Sequence, residues 1–284
     1  MEKGTLKKNK KPLSPYSILA LAFGIVWLVI AGGPFYYLIL ISMKSQGEFL
    51  TGSLFQLPEH FNLTNFVTVL QGDFLKYFFN SILVLLISLV LLLFISACAA
   101  YPLSRMKFKL NRPLYGIIVA AMSIPIYITL IPVFTMSIRA GVYDSIFALI
   151  GPNVAFNLPI SIFILTGFMQ GISKEMEEAA EIDGCGKFKT FFSVIFPLSK
   201  AGMATLAIYN GVVIWNEFVF AMVLTQTAKA RTLPLAIWDY QGQYTMNIPL
   251  IMALLILSSL PVILLYVFGQ EKLVKGMMAG AVKG

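Results

Sequence analysis

The chain has 284 residues, 58% of them apolar and 12% charged, with a mean hydropathy of +0.82. Soluble domains carry about 25% charged residues, so this composition excludes an ordinary soluble domain and points to one membrane domain with little chain left for a soluble module. The net charge of +8 has its explanation in topology, given below. The 2 cysteines, Cys98 and Cys185, fall in separate segments and make neither a disulfide framework nor a metal site.

A spanning helix needs roughly 20 apolar residues. Residues 1–15 are polar and basic, and a first apolar run follows at about 16–43. A secretory signal peptide starts the same way. Here Gly33-Pro34 and the bulky Phe35, Tyr36 and Tyr37 stand where a small-residue cleavage site would be, so a retained signal anchor is expected. Residues 44–76 mix Phe49, Phe55, Phe61 and Phe66 with polar side chains, and Asn62-Leu63-Thr64-Asn65 is placed to cap a short helix over 66–70. This stretch fits a packed connector and a contact surface for a partner equally. The lone His60 reads as a surface residue. A second span is expected over about 77–103, with Ser81 and Ser88 as packing residues.

A third span, about 114–137, contains Pro125 and Pro132, and Tyr127 and Thr129 make it more polar. The fourth, about 145–169, contains Pro152 and Pro159. Asn153 and Asn157 lie four residues apart there with Ser161 one turn further on, a polar stripe that suits a solvated pathway wall and helix–helix contact alike.

Residues 173–201 are the long polar interruption with its own internal design. Ser173 is a candidate N-cap, and Glu175, Glu177, Glu178 and Glu181 alternate with the strong helix formers Ala179 and Ala180. Gly184 and Gly186 break that helix, and a second short apolar helix over 188–196 is expected to stop at Pro197. The pattern is a knuckle of helix, glycine elbow and helix.

The fifth span, about 203–225, carries Asn210, Asn216 and Glu217. Glu217 is the one carboxylate well inside an expected span, and an acid at the centre of a lipid-embedded helix costs about 2.5–3.5 kcal/mol on insertion scales, so it must face protein or water. An interhelical clamp, a lining or gate of a translocation path, and a proton relay all satisfy that condition. Asn210, seven residues earlier, is expected on the same face. Residues 226–247 gather Trp238, Asp239, Tyr240, Gln241 and Tyr244, a set used by sugar contacts, protein contacts and interfacial aromatic belts. The sixth span, about 248–269, contains Pro261.

All 21 basic residues except Lys44, Lys76, Arg139, Lys229 and Arg231 fall in the N-terminal segment, the connection after the second span, the knuckle and the tail. The positive-inside bias therefore puts both termini and the knuckle in the cytoplasm and leaves no nucleic-acid footprint to explain. The sequence contains no GxxxxGK[ST] phosphate loop and no HExxH pair. The expected fold is an all-α membrane protein with six transmembrane helices: a cytoplasmic segment 1–15, a membrane domain 16–270 and a cytoplasmic tail 271–284.

Glu178-Ala179-Ala180, then Gly184, then Val194-Ile195-Phe196-Pro197-Leu198, resemble the EAA loop in the membrane subunits of bacterial ABC importers. Val194 and Phe196 stand where that family usually has Ile and Leu, and Ala201 where many members have a second Pro. Phe79 to Ile82, Ala100 to Phe108, Trp215 to Phe218 and the end from Gly276 to Gly284 are similar to the sugar branch of the family, in particular the second maltose-type permease subunit. The resemblance implies a type I importer transmembrane domain whose Glu178, Ala179, Ala180, Asp183, Gly184 and Pro197 couple it to an ATPase, and whose Gly280, Lys283 and Gly284 reach the ATPase interface. It implies as partners a second permease subunit, two ABC ATPase subunits, an extracytoplasmic sugar-binding protein and the lipid bilayer of a bacterial inner or plasma membrane. Nucleic acid, metal and cofactors have no place in that assembly, and ATP hydrolysis belongs to the separate subunits. Asn153, Asn157, Asn210, Asn216 and Glu217 are the pathway or gate candidates, although in the related maltose system the sugar contacts mostly the partner membrane subunit. Two readings stay open beside this one: an ion-coupled secondary carrier using Glu217, and an ABC permease for a solute other than sugar.

Overall fold

A computed structural model describes residues 14–53, 55–242 and 245–281. Among them the chain is helical, and the only strand-like pairing is an isolated bridge between Gln241 and Met246. The first helix, α1 (Pro15–Ser42), starts where Ser14 Oγ accepts the Ser17 N–H at 3.3 Å, with Pro15 at a position whose missing N–H costs nothing. Two short helices follow, α2 (Gln46–Thr51) and α3 (Thr64–Gln71). Asn62 Oδ1 accepts the Thr64 N–H at 2.7 Å and starts α3 close to where the sequence pattern places a helix.

The centre of the molecule is the pair α4 (Phe74–Arg105) and α7 (Phe147–Gln170). On α4 the buried residues Ser81, Val84, Ser88, Leu92, Ser96 and Ala100 recur every three or four positions, one face of the helix. Most are small. In lipid there is no hydrophobic drive between helices, so the close backbone approach that small side chains permit supplies the packing energy.

Between α4 and α7 the expected third span is not a straight helix. It is α5 (Asn111–Ala121), a 3-10 turn (Ile126–Thr129) and α6 (Leu130–Arg139), bent by 92°. The bend precedes Pro125, whose ring disfavours helical backbone at the residue before it. Pro132 falls in the first turn of α6, where no N–H is needed, and leaves that helix intact. α7 runs unbroken through Pro152 and Pro159.

After α7 come α8 (Glu175–Ile182), α9 (Lys187–Thr190), a π turn (Phe191–Ile195), α10 (Phe196–Leu198), α11 (Lys200–Trp215) and α12 (Val219–Leu224). A 3-10 helix (Leu233–Tyr240) leads to α13 (Ile248–Ala281), against which α1 packs. The expected fifth span is broken as well. α11 ends at Trp215, so Asn210 and Glu217 do not share a helical face. Asn216 Nδ2 donates to the Val212 carbonyl at 2.8 Å, and Glu217 accepts the N–H groups of Phe220 at 2.6 Å and Ala221 at 3.0 Å. Polar side chains here compete with the backbone ladder, closing one helix and opening the next.

Four helices are long and apolar enough to cross a bilayer, and up to six spans result if each bent pair counts as one. Three buried clusters lie along them. One, around Tyr77, Trp215 and Leu233, joins α3, α4, α13 and the 3-10 helix into a platform at one end. A second, around Leu149, Phe220 and Leu235, fills the middle. The third, around Tyr101, Met169, Phe191 and Ile195, sits under the knuckle at the opposite end. There Gly202 is pressed onto the Phe168 ring, where an added Cβ would come within 2.8 Å.

Candidate functional site

The knuckle is built by its glycine. α8 ends in a Schellman closure: the Cys185 N–H reaches the Ala180 carbonyl at 2.9 Å and the Gly184 N–H the Glu181 carbonyl at 3.0 Å. The motif needs a left-handed residue, and Gly184 supplies it with φ of 79°. Ser173 Oγ accepts the Glu175 N–H at 3.3 Å, while Lys174 holds the N-cap position. The second limb does not stop at Pro197. It continues to Leu198 and turns at Ser199 into α11, with a bend of 66°. Pro197 offers no N–H and its ring crowds the carbonyl four residues back. The π turn over Phe191–Ile195 lies just ahead of it, a common way for a helix to absorb such a defect.

One side of the knuckle is anchored and the other is bare. Arg105, at the last turn of α4, donates from a terminal nitrogen to the Ile172 carbonyl at 2.5 Å. Its Nε lies 3.6 Å from Glu177 Oε2, an ion pair with side chains 4% and 16% exposed. That Nε makes no hydrogen bond, so the Ile172 contact is the firmer of the two. Tyr101 donates to the Lys187 carbonyl at 3.4 Å, and its ring lies 5.0 Å from that of Phe191, tilted by 35°. Asn111 Nδ2 ties the end of α4, donating to Leu103 at 3.1 Å and Met106 at 3.0 Å. Glu181 pairs with Lys187 across the elbow and holds the ammonium above the ordinary lysine range. Away from these anchors, Glu178, Ala179, Asp183 and Gly184 are exposed, with Met176 and Ile182 (86%) beside them, while the exposed Phe188 shares a cavity wall with Tyr101 and Met106; Ala180 alone of α8 is buried. In the sequence Arg105 reads as one more basic residue and Tyr101 as part of a span; an arginine at a span end facing an acidic helix was the available signal.

The pathway candidates divide. Asn153, Asn157, Asn216 and Glu217 line one cavity of about 300 Å³ with Tyr127, Phe156 and Phe218. Asn210 stands apart: wholly buried, it donates to Ser161 Oγ at 3.0 Å and to the Leu206 carbonyl at 3.0 Å, joining α11 to α7.

The platform end is closed by long-range hydrogen bonds. Asn65 Nδ2 donates to the Ser42 and Lys44 carbonyls, both at 2.8 Å. Asn80 Nδ2 reaches Lys229 at 3.0 Å and Arg231 at 2.8 Å. Asp144, with φ of 55°, accepts the N–H groups of Gln226 at 2.7 Å and Thr227 at 2.8 Å and the Thr227 hydroxyl at 2.8 Å. Desolvation pushes its carboxyl up, but the three hydrogen bonds outweigh this and hold it below the usual range. Trp238 packs on Phe218 at 6.2 Å and under Arg231 at 5.6 Å, and Tyr240 is half-buried, so part of the aromatic set in this loop serves packing. Tyr244, Lys283 and Gly284 lie outside the described residues; Gly280 is in the last turn of α13.

Residues 93–278 match the family described as the binding-protein-dependent transport system inner membrane component. A protein of Caldicellulosiruptor sp. (strain Rt8B.4) named as an ABC transporter permease, ORF2, is 52% identical over 259 residues, 91% of this chain and 94% of its own. The melibiose/raffinose/stachyose import permease protein MelC of Bacillus subtilis (strain 168) is 34% identical over 253 residues, 88% of this chain and 91% of its own. Among solved structures, a bacterial ABC transporter involved in import of the acidic polysaccharide alginate superposes with a TM-score of 0.78 at 23% identity, over 90% of this chain and 95% of that one.

Proposed function

The chain belongs to the binding-protein-dependent transport system inner membrane components, and from that premise we propose that it is the permease subunit of an ATP-driven sugar importer, coupled to a separate ATPase through the knuckle. The name of the Bacillus subtilis relative supports the sugar class. The observation that carries the coupling role is the asymmetry of the knuckle, fixed to α4 by Arg105 and Tyr101 and bare at Glu178, Ala179 and Ile182.

In the proposed topology the knuckle and both termini are cytoplasmic, and α1, α4, the bent pair α5–α6, α7, α11 with α12, and α13 make the six spans, as the distribution of lysine and arginine supports. Two ATPase subunits bind this chain and a second, different permease subunit; an external sugar-binding protein docks on the platform. Closure of the ATPase dimer moves the knuckle, and the anchors pass that motion to α4 and α7 as a rigid-body rotation. Shifting such an equilibrium from 1:99 to 99:1 takes about 5.5 kcal/mol of differential binding, which a loosely tethered loop would dissipate. Glu178 meets the polar edge of the ATPase groove, Ala179 leaves room for close packing, Gly184 and Asp183 set the elbow, and Pro197 stiffens the second limb. α13 has 34 residues, about 51 Å at 1.5 Å per residue, against a hydrocarbon core of about 30 Å. Its length supports last turns that stand clear of the bilayer, with Gly280 on the side of the ATPase.

Gly184→Asp tests the coupling. Nothing in this chain lies within 4 Å of the new Cβ and Asp is among the few residues that visit left-handed backbone, so the substitution strains the elbow without a clash, and membrane insertion of the variant is measured first. Sugar uptake then falls to background while ATP hydrolysis loses its response to the binding protein. Normal uptake by this variant overturns the coupling role.

A further inference from the structure

The cavity beside the break at Asn216 has a chemistry that coupling to the ATPase does not use. In Asn153, Asn157 and Asn216 the side-chain nitrogen donates to a main-chain carbonyl one turn back, that of Leu149 at 2.9 Å, Asn153 at 2.8 Å and Val212 at 2.8 Å. A main-chain carbonyl only accepts, so these bonds fix which end of each amide is nitrogen. Each amide keeps its oxygen free: among the described residues none of the three receives a hydrogen bond. Glu217 adds a carboxylate whose two oxygens each accept one main-chain N–H, at 2.6 and 3.0 Å, and retain capacity for another donor. No lysine, arginine or histidine is among the residues lining the cavity, and Tyr127 and Phe218 supply apolar ring surface.

We infer that this wall is a sugar contact contributed by the present chain itself, one that takes a neutral, hydroxyl-rich ring and discriminates against an acidic one. The inference rests on the importer reading and gives its pathway a charge preference. Hydroxyl groups are donors and meet free amide oxygens and a carboxylate. The C–H face of the same ring packs on the aromatic side chains, the usual division of labour in a small-molecule site. About 300 Å³ is at the small end of ligand cavities and suits a single ring of a longer sugar. An acidic sugar would bring a second anion beside Glu217 with no cation to meet it. The alginate importer shares this fold and handles an acidic polysaccharide, so the fold leaves charge preference to side chains such as these.

The test is charge-selective labelling. Val213 lines the cavity and is 38% exposed. Val213→Cys is placed in the complete transporter, with both permease subunits and ATPases, in nanodiscs that leave both faces open. It is reacted with a cationic trimethylammonioethyl and an anionic sulfonatoethyl methanethiosulfonate, and adducts at residue 213 are read by mass spectrometry. Ile126→Cys, also on the cavity wall, is a second reporter should the first fail to assemble. The cationic reagent is expected to be favoured about tenfold beyond its ratio on a free thiol. Glu217→Gln should collapse that preference, and raffinose should slow labelling where galacturonate at the same concentration does not. Equal rates, no adduct with either reagent at either reporter, absence of protection by raffinose, or equal protection by galacturonate would each overturn the inference. ATP hydrolysis by the same preparation reads coupling separately. Loss of its response to the binding protein with the charge preference intact would count against the importer reading alone.

Discussion

The two ends of this molecule are held together in opposite ways. At the platform, segments far apart in sequence are joined by hydrogen bonds: Asn65 to Ser42 and Lys44, Gln46 to the Met246 carbonyl at 3.0 Å, Asn80 to Lys229 and Arg231, Asp144 to Gln226 and Thr227, and Ser81 to the Leu233 N–H at 2.8 Å. At the knuckle, among the described residues, the long-range hydrogen bonds come from α4, through Arg105 and Tyr101, Phe191 and Ile195 pack on α4, α7 and α11, and Ile182 is left exposed. The platform is tied across the chain by these bonds, although Phe55 and Phe61 in the segment before α3 stand exposed. The knuckle is rigid inside, because the Schellman closure and the π turn settle its geometry, yet unfinished outside. A lever requires that combination: stiffness along its length, few attachments, and a surface completed by whatever drives it.

The contrast can be broken first at the fulcrum of the proposed lever. Arg105→Ala removes the bond to the Ile172 carbonyl and the pairing with Glu177. Loss of a hydrogen bond to a charged group costs about 1.5–3 kcal/mol locally. Uptake in proteoliposomes should fall at least about tenfold, one factor of ten for each 1.4 kcal/mol, while basal ATP hydrolysis persists. Arg105→Lys, which keeps the charge but not the forked geometry, should recover only part of the uptake. Full uptake by Arg105→Ala would show that the lever is held elsewhere.

At the platform, Asp144→Ala should lower unfolding stability by about 0.5–1.5 kcal/mol, because it hands the exposed Gln226 and Thr227 N–H groups to water. Asp144→Asn, which keeps a carbonyl oxygen at the same place, should restore most of it. Equal losses would mean that the charge and not the hydrogen bonding matters there. Neither change should uncouple ATP hydrolysis from transport, which separates platform defects from lever defects.

The pH dependence is a smaller effect. Asp144 has a folded-state pKa below its ordinary value, so its contribution is present above the unfolded carboxylate pKa of about 3.9 and is lost as pH falls through the depressed folded value. Thermal unfolding of the wild type should therefore show no Asp144-dependent change between pH 5 and 8. The gap between wild type and Asp144→Asn should narrow only below about pH 4. A gap that narrows near neutrality would contradict the hydrogen-bond assignment. The smallest effect is expected at the exposed Glu181–Lys187 pair, where Lys187→Ala should cost no more than about 1 kcal/mol in unfolding experiments.

The sequence carried some of this plainly. The first, second and sixth spans are continuous apolar runs, the fourth forms one helix despite Pro152 and Pro159, and the Gly184 elbow follows from a helix that ends at a glycine able to take positive φ. What it hid has a common physical form. Hydropathy records how apolar a segment is and not its direction, so the 92° bend before Pro125 and the break at Asn216 both passed as continuous spans. The π turn depends on a proline that follows it, and the helix continues one residue beyond that proline instead of stopping. In the candidate cavity, the Asn153 and Asn157 stripe could be read from four-residue spacing, whereas its juxtaposition with Asn216, Glu217 and Tyr127 depends on how three helices meet. The Asp144 latch spans 82 residues to Gln226, a separation at which no local pattern helps.

The account turns on the knuckle being a cytoplasmic lever seated on an ATPase. Ile182 is 86% exposed, and Ile182→Cys, with the native Cys98 and Cys185 replaced by serine, can be probed in intact cells with a membrane-impermeant maleimide and in isolated membranes with a maleimide–benzophenone photocross-linker, which needs no thiol on the partner. The prediction is no labelling from outside the cell and a cross-link to the ATPase subunit once the membranes are opened. Labelling from outside, or the absence of any ATPase cross-link in opened membranes, would contradict it.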